Sequence, residues 1–238
     1  MLRFVDIEQA YPGKRAEAER RTDFLEIYQP VEIARVAEQA SRCSQCGVPF
    51  CQTGCPLQNN IPDWLMLAGA GRMQEAYEAS AATSTMPEIC GRICPQDRLC
   101  EGSCVVEKSG HGAVTIGAVE QFITDTAWDK GWVTPVVPGA PRGQSVGVIG
   151  SGPAGLAAAE RLREAGCEVT VYERADRAGG LLMYGIPGFK LDKHVVQRRL
   201  DRLAAGGVVF KLNFEIGRDA SLDLLRSQHD AVLIATGV

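Results

Sequence analysis

Residues Val146-Gly-Val-Ile-Gly150-Ser-Gly152-Pro-Ala-Gly155 decide the fold of this 238-residue chain. A short apolar run, Ser145–Gly150, reads as a strand, and it passes through G-x-G-x-x-G into a helical stretch, Pro153–Ala165. Each glycine in that turn has a physical task. Gly150 permits the tight bend, Gly152 lets backbone approach a pyrophosphate, and Gly155 lets the helix pack closely on the strand. The helix then offers free N–H groups and a positive dipole end to phosphate. Gly150, Ser151, Gly152, Pro153, Ala154 and Gly155 are therefore candidate cofactor-binding residues.

The next predicted strand, Glu168–Glu173, ends in an acid 23 residues beyond Gly150, where a carboxylate can accept hydrogen bonds from an adenosine ribose. The fingerprint alone does not choose FAD over NAD(P). Gly179-Gly180-Leu181 favours FAD, because a second glycine turn can pass close beside a larger cofactor. A Gly-rich structural turn with a surface Glu, and a plain loop at Gly179-Gly180, are the alternative readings. Further on, the pattern predicts a helix over Lys193–Ala205, a strand or hairpin near Val208–Ile216, a short helix around Leu222–Ser227 and a strand Ala231–Ala235. Residues 145–238 thus read as an α/β Rossmann-like domain with a parallel sheet.

Upstream, Trp132-Val-Thr-Pro-Val-Val-Pro-Gly-Ala-Pro-Arg-Gly143 carries three prolines and two glycines and predicts a linker over 133–144. Residues 1–132 have a different texture, mainly helical with short irregular loops. Helical stripes run over Val31–Ser41, from Asn60 with Pro62 in the first turn, over Met73–Ser80, and over Thr115–Trp128. In the last of these, Glu120 is four residues beyond Ile116 and falls on the apolar face, where a carboxylate needs a partner.

Eight of the nine cysteines lie in this first part. Their spacing is Cys43-x2-Cys46-x4-Cys51-x3-Cys55-Pro56, then 33 residues, then Cys90-x3-Cys94-Pro95-x4-Cys100-x3-Cys104. Three close thiolates wrap one face of an iron–sulfur cube while a fourth ligand comes from elsewhere. In two-cluster ferredoxins the last Cys of a run ligates the other cluster, and Cys55-Pro56 reads the same way. Disulfides, paired zinc sites and ordinary buried thiols are the competing readings. Zinc knuckles prefer repeated C-x2-C, which only Cys43/Cys46 provides, and buried packing accounts for Cys167 alone.

Composition narrows the function. Hydrophobic residues at 45% and charged residues at 23% allow a globular core. Lys+Arg 25 against Asp+Glu 29, without a basic run, argues against nucleic acid as a partner. No window approaches the ~18 apolar residues of a membrane span. The start, MLRFVDIEQAYPGK, has no apolar core of a secretory signal. A cytoplasmic protein with reduced thiols is the expectation.

The motifs CSQCGVPFCQTGCP (43–56), PEICGRICPQDRLCEGSC (87–104), AVTIGAVEQFI (113–123), GSGPAG (150–155) and GGLLMYGIPGFKL (179–191) together resemble the small (β) subunit family of NADPH-dependent glutamate synthase. The same module is similar to the N-terminal part of dihydropyrimidine dehydrogenase. The resemblance spans nearly the whole chain and implies a mainly α iron–sulfur domain followed by an α/β Rossmann-like FAD-binding domain. It implies two 4Fe–4S clusters with crossed ligation. Cys43, Cys46, Cys51 and Cys104 would hold one. Cys55, Cys94, Cys100 and a side chain at Glu120 would hold the other, with Cys90 close by. A Glu120–Arg pair, or Cys90 as the fourth ligand, remains open.

For FAD the resemblance points to Gly150–Gly155, Glu173, Gly180, Leu181 and Lys190. NADPH would be the electron donor, and the large (α) subunit, which makes glutamate from glutamine and 2-oxoglutarate, the partner. The family's NADPH domain and the closing part of its FAD domain would follow the Ala-Thr-Gly at 235–237. The chain therefore reads as the N-terminal half, with an incomplete α/β domain. A ferredoxin- or sulfide-linked oxidoreductase subunit, or a truncated electron-transfer module, are the rival functions. No side chain is nominated as catalytic, and His111, His194 and His229 read as surface or packing residues.

Overall fold

The computed structural model describes residues 3–30 and 32–237. Val31, where the first helical stripe begins, and Val238 lie outside the described residues. The chain forms two compact units, Met1–Val133 and Thr134–Val238.

The first unit is helical, with α1 Ile33–Ala40, α2 Ile61–Gly69, α3 Met73–Ala81, α4 Pro87–Ile93 and α5 Ile116–Asp129 as its main elements. Prolines sit in the first turns of α2 and α4, where the missing N–H costs nothing. One core runs through Val36, Trp64, Leu65, Ala68, Ala76, Ile116, Val119 and Ile123, and Cys100 and Cys104 belong to it. Trp64 is fully buried and its indole donates to Asn59 Oδ1 at 2.7 Å, while Asn59 Nδ2 donates to the Ser80 carbonyl at 2.8 Å. That pair ties the start of α2 to the end of α3.

α4 has no stripe legible in the sequence, and it packs intimately on α5. Gly91 makes this possible. A Cβ there would lie 2.7 Å from the Gln121 backbone nitrogen and 2.9 Å from the Gly117 carbonyl oxygen. The short helices Phe50–Thr53 and Val105–Lys108 lie within and just after the cysteine runs and are also absent from the sequence expectation.

The second unit holds a four-stranded parallel sheet, order β3-β2-β1-β4, with β1 Ser145–Ile149, β2 Glu168–Tyr172, β3 Val209–Lys211 and β4 Ala231–Ile234. The register pairs Val148 with Val171 on one side and Leu233 on the other. Between the strands run α6 Pro153–Glu164, α7 Lys193–Ala205 and α8 Leu222–Gln228. The predicted elements appear with ends shifted by a residue or two, except that the region 208–216 supplies only the short strand β3. Parallel strands are normally covered on both faces. Here β4 is not, with Leu233 half-buried and Ile234 62% exposed. Among the described residues, no helix is long and apolar enough to cross a membrane.

Candidate cluster and cofactor sites

All nine cysteines are free thiols, so the disulfide reading fails. The eight in the first unit sort into two groups, and the sorting is visible in which charges each thiol feels. Cys51 is pushed up to about 12, first by burial and then by Cys43, Cys104 and Cys46. Cys43 is raised by burial and by Cys104 and Cys46. These four thiols line one small void whose other walls are apolar, including Phe50, Leu65 and Ile116. Cys104 reaches this group from the far end of the second run, 53 residues beyond Cys51.

Donors surround the same sulfurs. Gln45 Nε2 lies 3.3 Å from Cys43 Sγ and also donates to the Pro62 carbonyl at 2.9 Å. Ser44 Oγ and Cys46 Sγ are 3.1 Å apart. Gln45 sits at φ +51, a left-handed conformation that non-glycine residues adopt at a cost and that clusters at functional sites.

The second group gathers at the α4–α5 contact. Cys94, which caps the C-terminus of α4, shares a hydrogen bond with Cys90 that lowers its proton affinity. Glu120, Cys100 and Cys55 all act on it in the opposite sense. Burial, with Glu101 and Glu120 adding to it, holds the Cys100 thiol high. Cys90 is held high by its bond to Cys94 and by burial, and its sulfur is 3.7 Å from Ser84 Oγ.

Glu120 is buried on α5, as its stripe position requires, and burial drives its carboxyl well above the usual carboxylate range. The neighbouring Cys90 and Glu88 push the same way. Its partner is the Ser80 hydroxyl, which donates to Oε1 at 3.1 Å. Among the described residues Glu120 makes no ion pair with an arginine. Arg92, the arginine of α4, instead donates to Glu26 and Asp125, each at 2.7 Å. Among the described residues, no three His, Cys, Asp or Glu side chains are gathered as a single-ion site. Thiols spread around a void suit a larger inorganic group, so the first quartet fits a cube.

Sequence reasoning missed Glu101. Its Oε1 accepts the Gly117 N–H at 2.9 Å at the start of α5, and Oε2 accepts the Tyr11 hydroxyl at 2.6 Å. A buried acid thus satisfies an orphan N–H at the helix terminus. The signal lay in its position between two cysteines, which carries no periodicity.

In the second unit the glycine turn has the expected strand–turn–helix setting. Gly150 has φ +102, and Gly152 precedes α6 without a side-chain cap. A Cβ on Gly152 would meet nothing within 4 Å, whereas one on Gly155 would collide with the Gly150 carbonyl. Open space above Gly152 and close packing under Gly155 are what a phosphate cradle requires.

Gly180, at φ +52, stacks on this turn, its notional Cβ 2.8 Å from Gly152 Cα. Glu173 is buried and already engaged. Its Oε2 accepts both the Ser151 N–H at 3.1 Å and the Ser151 hydroxyl, and its Oε1 accepts the Ala175 N–H at 2.9 Å. Leu181 opens a one-turn helix, Leu181–Tyr184, and is 64% exposed. Lys190 is exposed. It is Lys193 whose ammonium is drawn onto the Leu182 and Ile186 carbonyls, fastening this loop.

His229 packs between Tyr172, whose hydroxyl is 2.8 Å from Nε2, and Ser145, and His111 stands edge-on to Phe4.

Residues 20–132 match the family model described as dihydropyrimidine dehydrogenase domain II, 4Fe-4S cluster, and residues 148–197 match that of an NAD(P)-binding Rossmann-like domain. The glutamate synthase [NADPH] small chain of Azospirillum brasilense is 66% identical over all of this chain and 49% of its own length. That of Escherichia coli K12 is 46% identical over all of this chain and 50% of its own. The chain belongs to the glutamate synthase small-chain family. It spans about half the length of those relatives. A putative oxidoreductase of Escherichia coli K12, AegA, is 48% identical over 95% of this chain and 34% of its own length. The chain is thus an oxidoreductase-family protein with an iron–sulfur domain followed by a Rossmann-like domain.

Proposed function

We propose that this chain is the flavin and iron–sulfur half of an NADPH-dependent glutamate synthase small subunit. In the complete enzyme, hydride from NADPH would reach FAD, and electrons would pass singly through two 4Fe–4S clusters to a large subunit that converts glutamine and 2-oxoglutarate into two glutamates. Cys43, Cys46, Cys51 and Cys104 would hold one cluster, and Cys55, Cys94, Cys100 and Glu120 the other. The observation that carries this reading is the sorting of the thiols into two groups, with Cys104 crossing to the first run and Glu120 joining the second.

The chain's own residues position and insulate. Gly152 leaves room for a pyrophosphate against the α6 N-terminus, and Glu173 holds the Ser151 turn in shape and faces the ribose. Phe50, Leu65 and Ile116 keep water from the first thiol group, and the Gln45 and Ser44 donors polarise its sulfurs. Thiols that hold clusters rather than pair as disulfides support a cytoplasmic location. The likeness to the putative oxidoreductase supports a second reading, the same module serving a different electron acceptor.

Anaerobic reconstitution tests the proposal. The chain should take up about eight irons with matching sulfide, bind FAD, and give two distinct cluster EPR signals. Stoichiometric zinc without broad visible absorption overturns it. Electron delivery to a glutamate synthase large subunit, assayed by glutamate formation once the remainder of the small subunit is supplied, separates the two acceptors.

A further inference from the structure

We propose that Arg42 is the built-in counter-charge of the cluster held by Cys43, Cys46, Cys51 and Cys104, and that it raises that cluster's reduction potential. This rests on the two-cluster reading above, and it adds a residue that is no ligand.

Arg42 is completely buried at the end of α1, immediately before Cys43. Its Nε donates to the Ile7 carbonyl at 3.0 Å, its Nη2 to the carbonyls of His111 at 2.7 Å and Gly112 at 2.9 Å, and its Nη1 to that of Ala113. Every hydrogen bond is thus met by a backbone dipole. None of these acceptors is a carboxylate, and no ion pair to Arg42 is found among the described residues. Dipoles satisfy the donors and leave the unit charge standing. A buried cation without a paired anion is costly to keep.

The charged groups whose fields reach the guanidinium are Cys104 first and then Tyr11. Tyr11 is spent as a neutral donor to Glu101, which leaves the Cys104 sulfur. Arg42 is thereby tied to the first group twice, next to Cys43 in the chain and across space to Cys104.

Each cluster gains one negative charge when it takes up one electron. A fixed cation favours that state. A guanidinium does not deprotonate in proteins, so the bias is constant with pH. Arg42 would therefore hold the reduced form of the cluster at Cys104 lower in energy than a neutral side chain in its place.

The test is an EPR-monitored dithionite titration of the anaerobically loaded full chain, with signals assigned by Cys104→Ser and the second cluster as internal reference. Arg42→Gln should shift the Cys104 cluster's equilibrium at least tenfold toward the oxidised form, a drop of about 59 mV for a one-electron couple, while the reference stays put. Arg42→Lys cannot span four carbonyls but keeps the charge, and should titrate within threefold of wild type.

If Gln and Lys lower the potential equally, if Gln leaves it unchanged, or if Lys cannot be loaded, Arg42 is only a backbone clamp and the proposal fails. If Gln cannot be loaded while Lys titrates as wild type, charge alone is sufficient and the proposal stands. A wild-type chain whose signals do not depend on Cys104 overturns the ligand assignment, and this inference with it.

Discussion

The Ser80 hydroxyl donates to Glu120 Oε1 at 3.1 Å inside the core of the first unit, joining the end of α3 to the middle of α5. In this buried carboxyl, with one hydroxyl for company beside Cys90, Glu88 and the thiols of the second group, burial favours the protonated form. A bound cation would reverse that preference.

Glu120→Ala should therefore remove or reshape one of the two cluster EPR signals and leave helical circular dichroism intact. Glu120→Gln keeps a side-chain oxygen for Ser80 and for iron, and should retain more of the signal than Ala. Loss of stability with both signals unchanged would show that Glu120 only packs. Ser80→Ala should cost the ligand-free chain about 1–2 kcal/mol, because it strands a buried acceptor, and denaturant titration reads it.

Thiol reactivity in the cluster-free chain follows from the same electrostatics. Cys51 is pushed up to about 12, so at pH 8 its thiolate fraction is roughly a thousandfold below that of an ordinary thiol. Greater intrinsic nucleophilicity, on a β of ~0.4–0.5, recovers roughly 16- to 32-fold of that, leaving alkylation about 30- to 60-fold slow. Cys94 is shifted the other way by its bond from Cys90 and should be modified earlier. Mass-spectrometric mapping of iodoacetamide labelling gives the order, and Cys51 labelled ahead of Cys94 contradicts it.

The two halves of the chain were legible to different depths, for physical reasons. The Rossmann-like segment is local. The strands, the glycine turn and the two long helices from Ser145 to Ala205 announce themselves by their own periodicity or by glycines needed within ten residues, whereas the one-turn helix Leu181–Tyr184 does not, and β3 was blurred because only three residues pair. The cysteine half is long-range. Spacing marks Cys43, Cys46 and Cys51 as a set, but nothing local says that Cys104 joins them or that α4, held by Gly91 against Gly117, brings Cys94 to Glu120. Arg42 was invisible for the same reason. It looks like a polar residue at a helix end, and only the return of residues 111–113 over it makes it buried.

Glu173 carries a duty beyond the ribose contact proposed for it. Its carboxylate gathers the Ser151 N–H, the Ser151 hydroxyl and the Ala175 N–H, and so braces both the glycine turn and the loop after β2. Glu173→Ala should lower stability by about 1–3 kcal/mol with no cofactor present, through stranded donors. A melting-temperature comparison without FAD measures this. An unchanged value would leave ribose binding as the residue's whole task.

Gly152 and Gly155 offer a clean separation of binding from folding, since they stand three residues apart in one turn. A Cβ on Gly152 meets nothing within 4 Å beyond its chain neighbours, so Gly152→Val should fold with stability within about 0.5 kcal/mol of wild type. The same branched side chain stands where a pyrophosphate must approach the α6 N–H groups, so FAD binding should be abolished. At Gly155 even one methyl collides with the Gly150 carbonyl and presses on Val148. Gly155→Ala must push α6 off β1, and should cost about 1–3 kcal/mol in the ligand-free chain. Urea unfolding reports the fold and flavin-fluorescence titration reports the site. Should Gly152→Val still bind FAD, the cradle is elsewhere. Should it unfold instead, the space above Gly152 is not the open slot that the cofactor requires.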